Sequence, residues 1–168
     1  KRATIAIAKT TKPTYLRLAR EKTPIITTEE TPFEIGKAQI YWLPDSGLAQ
    51  VGIIATGALL YRALVAAKEL EKEGIKVKVM NLSSIKPIDS ESIISLAKET
   101  KKIVTVEEHQ IAGGMGSAVA EVLAQNFSVP IEFVGVRDKF GQSGTQEELI
   151  KHYGMDKDSI KDAVKKLI

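Results

Sequence analysis

The stretch Ile103–Leu123, IVTVEEHQIAGGMGSAVAEVL, decides the fold of this 168-residue chain. It opens with the β-branched run of a strand, passes through a glycine-rich turn and continues as a helix. Strands that alternate with helices form open α/β sheets, and ligands of such sheets bind beyond the carboxyl ends of the strands. The stretch therefore predicts both a fold class and the place of a candidate site.

The alternation of strands and helices continues on both sides of this stretch. Between the first two strand-like runs stand the turn-forming residues PDSG, which predict a hairpin with an antiparallel first strand. We therefore expect a three-layer α/β/α domain with a five-stranded mixed sheet. The five runs end at residue 136 and read QIYWL, VGIIATG, VKVMNL, KIVTVEE and PIEFVGV.

Capping residues mark several helix boundaries. Gly74 ends one helical segment, Asp89 precedes the next as an N-cap, and Thr145 with Glu148 forms a capping box. A last helix begins near Asp156 and has apolar residues at helical spacing, which predicts that it packs on the core. These residues are Ile160, Ala163, Val164, Leu167 and Ile168.

The first 39 residues depart from this pattern. Residues 1–20 begin like the end of a helix without a cap and continue as an extended segment. Residues 21–39 are rich in proline and threonine, which is typical of a linker. We expect a remnant of a second domain at 1–20, a linker at 21–39 and one α/β domain at 40–168.

Composition excludes several classes of function. The 24 lysines and arginines are mixed with 21 acidic residues, so no basic stripe predicts a nucleic-acid partner. Cysteine is absent, which excludes disulfides and thiolate chemistry. No apolar run reaches the roughly 18 residues of a membrane span, and the start lacks the apolar core of a signal peptide. We expect a cytoplasmic protein with no membrane partner.

The glycine-rich turn permits two interpretations. The backbone amides of Gly113, Gly114, Gly116 and Ser117 lie at a predicted helix N-terminus and could bind an anion. The spacing matches neither the P-loop nor the dinucleotide-binding fingerprint. Glycines at such a turn also let a helix pack closely on a sheet, and we favour this architectural interpretation.

Glu107, Glu108 and His109 stand at the carboxyl end of the same strand. A carboxylate beside an imidazole can perform acid–base chemistry, and alternation along a strand predicts that Glu107 and His109 share a face. Polar strand ends also cap loops or meet a partner subunit. Two carboxylates and one histidine make an incomplete metal site. We assign no catalytic or metal-binding residue here.

Four patterns, taken in order, resemble the C-terminal domain of the transketolase family. They are IIATG, KVMNLSSIKPID, VEEHQIAGGMGSA and FGQSGTQEELIKHYGM, and together they run from about residue 51 to residue 168. The likeness is strongest to the split type, in which a separate chain carries the C-terminal half. Glu108-His109 and Ser143-Gly144 favour transketolase over its relatives. The preceding PTYLRLAREKTP is similar to the end of the family's pyrimidine-binding domain.

The resemblance implies transfer of a two-carbon ketol unit between sugar phosphates. The complete enzyme would use thiamine diphosphate and Mg2+, whereas this chain lacks the family's Gly-Asp-Gly cofactor motif and is expected to be inactive and cofactor-free alone. Arg20 matches the arginine that holds the substrate phosphate. Implied partners are the N-terminal transketolase section and a second copy of the assembly, and the glycine turn serves architecture or subunit contacts.

Two rival functions share the strand–glycine–helix element. One is the C-terminal docking domain of a 2-oxo acid dehydrogenase beta subunit, which contacts the acyltransferase core of its complex. The other is the C-terminal domain of deoxyxylulose-phosphate synthase. Genes for a thiamine-binding transketolase half, or for dehydrogenase subunits, beside the gene for this chain would separate the first rival from transketolase.

Overall fold

The computed structural model describes residues 1–168. None of the helices is long and apolar enough to cross a membrane. The elements are α1 (Arg2–Ile7), β1 (Gln39–Trp42), β2 (Val51–Ala55), a 3₁₀ turn (Gly57–Leu59), α2 (Leu60–Lys72), β3 (Val77–Asn81), α3 (Ser90–Thr100), β4 (Ile103–Gln110), α4 (Met115–Asn126), β5 (Ile131–Val136), α5 (Gln146–His152) and α6 (Lys157–Lys165).

The five strands form one mixed sheet in the order β1-β3-β2-β4-β5. All pairs are parallel except β1 with β3. Side chains that alternate along the strands pack on one face against α2 and α6, and on the other against α3 and α4. The predicted three-layer domain with an antiparallel first strand is confirmed.

The predicted hairpin between the first two strands is wrong. β1 is antiparallel, but its partner is β3, with Ile40 opposite Met80. β2 lies between β3 and β4 and is buried along its whole length. Both edges of β2 pair with parallel strands, so β1 joins the sheet at the outer edge of β3. The turn residues PDSG thus lie in a connection that passes the start of β3, where the Gln50 amide donates to the Lys76 carbonyl, instead of closing a hairpin.

The predicted helix caps are confirmed. Asp89 Oδ1 accepts a hydrogen bond from the Ser92 amide at 3.1 Å, and Thr145 and Glu148 form a complete capping box. Asp156 caps α6 through the Ser159 amide. Of the apolar positions predicted to face the core from α6, Ile160, Ala163 and Val164 are buried and Leu167 is half-buried, but Ile168 is 51% exposed. Ile168 follows the end of α6, so it no longer shares the inner face.

Lysines of α6 form ion pairs with Glu69 of α2 and with Glu73, the residue that follows the end of α2. Lys161 Nζ lies 3.0 Å from Glu69 and 2.9 Å from Glu73, Lys157 also contacts Glu69, and Lys165 lies 2.7 Å from Glu73. Hydrogen bonds from Lys165 and Lys161 lower the pKa of Glu73 from 4.5 to about 2, and the two glutamates raise the pKa of Lys161. These ion pairs fasten the last helix to the domain.

Glu73→Gln is expected to change how stability depends on pH. Because the pKa of Glu73 is lowered in the folded chain, its contribution is full above the ordinary value of 4.5 and is lost as the pH falls towards about 2. The difference in urea midpoint between the wild-type chain and Glu73→Gln should therefore be largest above pH 4.5 and disappear near pH 2. Glu121→Gln, on the exposed side of α4, is the control. An equal difference in urea midpoint above pH 4.5 and near pH 2 would contradict the lowered pKa of Glu73.

The N-terminal residues run along the outside of the domain. After α1 the chain has no regular secondary structure until β1, and most side chains between them are exposed. Tyr15, Leu18 and Ile25 are 87%, 74% and 91% exposed, while Ile26 packs against the core on the α2 side of the sheet. The sequence expectation of a short helix followed by an extended segment agrees with this course. The segment ends at β1, where Gln39 pairs with Asn81 at the carboxyl end of β3.

Candidate functional site

The candidate site lies at the carboxyl end of β4, where α4 begins. Glu107, on β4, is only 2% exposed, and its two carboxylate oxygens accept hydrogen bonds from the amides of Met115 (2.6 Å) and Gly116 (2.7 Å). These amides belong to the first turn of α4, where unpaired donors and the helix dipole favour a negative charge. Gly114, at the N-cap position, has no side chain that could accept hydrogen bonds from these amides, so Glu107 caps the helix from the neighbouring strand.

Two glycines make this contact possible. A β-carbon at Gly114 would overlap the Glu107 carboxylate and the carbonyl oxygen of Gln110. One at Gly116 would lie 2.7 Å from Thr105 Oγ1 and 2.8 Å from the Phe133 ring. The helix therefore approaches the sheet more closely than a residue with a side chain allows. The architectural interpretation of the turn rests on this geometry.

Hydrogen bonds within the chain also fix the rest of the turn. The Gly113 amide donates to Ser117 Oγ at 2.9 Å, and that hydroxyl donates to the Ile111 carbonyl at 2.8 Å. Gly113 has φ of +75°, a conformation that favours glycine. Because Glu107 accepts from the amides of Met115 and Gly116, an external anion at these three amides would have to replace partners that the chain already supplies. The anion-binding role of the turn stays a prediction without support from this geometry.

Glu107 and His109 do not form the pair that strand alternation predicts. Glu107 is buried, whereas the side chain of His109 is exposed and its Nδ1 lies 3.0 Å from the Gln110 carbonyl oxygen. The pairing of β4 with β5 is irregular between Val106 and Gln110, so the regular alternation of faces ends there. Glu108 is half-buried. No three His, Asp or Glu side chains are grouped to hold a metal ion.

The N-terminal segment reaches this edge through Arg17. Its Nη2 donates to the Glu108 carbonyl oxygen at 3.1 Å, across 91 positions of sequence. Arg20, three residues later, is almost wholly exposed, and its Nε lies 3.9 Å from Glu21. Its guanidinium is thus free to bind a group from solution. Sequence reasoning placed Arg20 in this segment but missed Arg17 as a contact to the domain.

The loop after β5 completes the edge. The Gln110 side chain accepts from the Asp138 amide at 2.9 Å and donates to the Lys139 carbonyl, and the Tyr153 hydroxyl donates to the Phe140 carbonyl at 2.7 Å. The Phe140 side chain itself is 98% exposed. The sequence contains no spacing signal for these contacts, because they join residues that only the folded sheet brings together. The backbone at the carboxyl end of β4 and in the loop after β5 is thus fixed by hydrogen bonds, and exposed cationic and aromatic side chains, such as those of Arg17 and Phe140, contact it or extend from it.

The sequence and the fold both match proteins of known family. Residues 41–160 match the family described as transketolase, C-terminal domain. The chain is 41% identical over 143 residues to the 6-deoxy-6-sulfo-D-fructose transketolase subunit SqwH of Clostridium sp. (strain MSTE9), covering 85% of this chain and 43% of that protein. It is 44% identical over 151 residues to a transketolase C-terminal section of Methanocaldococcus jannaschii, covering 88% and 46%.

A solved structure described as "Split gene transketolase, inactive beta4 tetramer" superimposes with a TM-score of 0.81 at 39% identity. The match covers 88% of this chain and 47% of that one, so the chain spans less than half the length of these relatives. The matched sequence, the five-stranded mixed sheet and the superposition agree. The chain belongs to the transketolase C-terminal domain family.

Proposed function

We propose that this chain acts as the C-terminal part of a transketolase, in which it supports assembly and forms one edge of the substrate channel. The observation that carries the proposal is the match over residues 41–160, together with relatives that are transketolase subunits or sections. The reaction would move a two-carbon ketol unit between sugar phosphates in the cytoplasm. By itself the chain would be inactive.

The residues of this chain do not fit thiamine diphosphate and Mg2+. The first amides of α4 are the strand-to-helix donors that would suit a diphosphate, but Glu107 already accepts from both. No cluster of His, Asp and Glu side chains offers ligands to a divalent cation. Both cofactors would therefore be bound by an N-terminal section or subunit, and the residues proposed here act on the substrate and on assembly.

The proposed division of the chain follows from the same likeness. Residues 1–20 would be the end of a pyrimidine-binding domain, residues 21–39 a linker, and residues 40–168 the C-terminal domain. The extended and exposed course of the chain up to β1 supports this division. Assembly would involve the N-terminal section and a second copy, and the structural relative, which is described as a tetramer, supports self-association.

Arg20 would bind the phosphate of the sugar substrate. A guanidinium offers a planar pair of donors that matches a phosphate, and the exposed position of Arg20 leaves these donors accessible. Glu108, His109 and the turn Gly113–Ser117 would line or support the same edge as subunit contacts. The phosphate contact orients the substrate, while the ketol chemistry belongs to the cofactor.

Arg20→Ala is expected to raise KM for ribose 5-phosphate about tenfold or more, because a hydrogen bond to a charged group is worth about 1.5 to 3 kcal/mol. The assay is ketol transfer from xylulose 5-phosphate by the chain mixed with its thiamine-binding partner. Lys22→Ala, which removes a nearby exposed cation, is the control. An equal KM in wild type and Arg20→Ala would remove Arg20 from the phosphate site.

A second candidate function is that of deoxyxylulose-phosphate synthase. One such enzyme, from Syntrophus aciditrophicus (strain SB), is 35% identical over 161 residues, which covers 94% of this chain and 24% of that protein. Its likeness extends further along the chain but at lower identity than that of the transketolase subunits. Ketol transfer to ribose 5-phosphate by the reconstituted enzyme would exclude this candidate.

A further inference from the structure

We infer that Arg17 is a positioning residue, which fastens the N-terminal segment to the end of β4 and thereby holds Arg20 over the substrate channel. The inference rests on the proposed function, because Arg20 matters only if the edge receives a phosphorylated sugar. It starts from a single long-range contact, the hydrogen bond from Arg17 Nη2 to the Glu108 carbonyl oxygen at 3.1 Å.

Within residues 1–31 this is the only hydrogen bond to the α/β domain, and the next along the chain, from the Ala38 amide to Asp89 Oδ2 at 2.8 Å, stands just before β1. Among residues 1–31 every other hydrogen bond or ion pair joins two residues of that same range. Within the same range, Ile26 packs against the core on the α2 side. Arg20 therefore lies between two attachment points, Arg17 and Ile26, and only three residues from the first.

The anchor point is well fixed. Glu108 follows Glu107, whose carboxylate is held by two amides of α4, and it precedes Gln110, whose side chain holds the loop after β5. The pairing of β4 with β5 is interrupted between Val106 and Gln110, and Glu108 lies within that interruption. A carbonyl oxygen on a backbone that is fixed from both sides is a suitable acceptor for a guanidinium.

The consequence for the substrate is one of orientation. An extended segment with exposed side chains samples many arrangements, and a phosphate that binds Arg20 has to restrict them. The Arg17 contact restricts the segment before the phosphate binds, so that binding costs less conformational entropy. The benefit should be confined to phosphorylated substrates, because a sugar without a phosphate does not use Arg20.

The first arm of the test measures anchoring on the chain alone. The chain has no cysteine, so Leu18→Cys and Ala124→Cys introduce two unique sites for nitroxide labels, one on the segment and one on the exposed side of α4. Double electron–electron resonance should give a narrow distribution of distances between the two labels. Arg17→Ala should broaden this distribution, and Arg17→Lys should largely restore it because lysine keeps a hydrogen-bond donor. Equal widths in the wild-type chain and in Arg17→Ala would overturn the inference.

The second arm measures ketol transfer by the chain with its thiamine-binding partner, using ribose 5-phosphate and then unphosphorylated ribose as acceptors. Arg17→Ala should raise KM for ribose 5-phosphate about fivefold, the loss expected for one hydrogen bond, with little change in kcat or in KM for ribose. Lys12→Ala, in the same segment, is the matched control. If Arg17→Ala changed KM equally for both acceptors, or for neither, the positioning role of Arg17 would be overturned. An inactive wild-type mixture would refute the proposed function, while the label distances would still decide the anchoring.

Discussion

Glu107→Gln is expected to lower the free energy of unfolding by about 3 kcal/mol, because one charge-assisted hydrogen bond is lost and a buried amide faces a new donor. Both oxygens of Glu107 accept from the first turn of α4, and the residue is almost fully buried. A glutamine of the same shape keeps one acceptor and places an NH2 group against the other amide. Urea unfolding at neutral pH, followed by circular dichroism, measures the loss.

Glu108→Gln is the matched control for this change. Glu108 is the next residue of β4, it is half-buried, and its side chain forms no hydrogen bond. Its replacement should alter the free energy of unfolding by no more than about 0.5 kcal/mol. If the two variants were equally stable, Glu107 would not be the cap of α4.

Gly114→Ala is expected to destabilise the chain by about 2 to 4 kcal/mol, since overpacking costs about 1 to 3 kcal/mol and the Glu107 cap is disturbed as well. The added β-carbon would overlap the Glu107 carboxylate and the backbone oxygen of Gln110, and the backbone oxygen cannot move aside without disturbing β4. Thermal and urea unfolding of the variant provide the measurement.

Gly141→Ala tests whether this effect is specific to the turn. Gly141 has no heavy atom within 4 Å of an added β-carbon and does not have a positive φ. The substitution should leave stability within about 0.5 kcal/mol of wild type or raise it slightly, because alanine restricts the unfolded chain. A Gly114→Ala variant as stable as Gly141→Ala would show that close approach of α4 is unnecessary.

Local signals predicted the elements well, and they failed where partners had to be chosen. The caps at Asp89 and Thr145 were predictable because a helix N-terminus and its capping side chain are neighbours in sequence. The pairing partner of β1 was not predictable, because turn-forming residues indicate that the chain reverses direction but do not indicate which strand pairs with β1. The choice of β3 depends on β2 pairing with parallel strands on both sides, which is a property of the whole sheet.

The role of Glu107 was less predictable than the helix caps and more predictable than the pairing of β1. Alternation along β4 assigns only a face, and it stops at the irregular pairing near Gln110. The missing signal was the absence of a capping side chain at Gly114, since a helix whose N-cap is glycine needs another acceptor for its first amides. Glu107, at the end of the strand just before that turn, could have been named for this reason. Arg17 could not, because its contact spans 91 positions.

Arg20 shows a different limit. No spacing or periodicity distinguishes it from other exposed arginines, and only the family likeness selects it. The structure places it exposed and three residues from the Arg17 contact. Its role therefore stays a prediction that only kinetics of the assembled enzyme can test.

The measurement that tests the central proposal most directly is ketol transfer from xylulose 5-phosphate to ribose 5-phosphate, with thiamine diphosphate and Mg2+ present. It compares this chain alone, its thiamine-binding partner alone and the two mixed at increasing ratios. We predict activity only in the mixture, rising with added chain until the partner is saturated. Activity of the partner that is unchanged by the chain, or no activity at any ratio, would contradict the assignment of this chain as a working part of a transketolase.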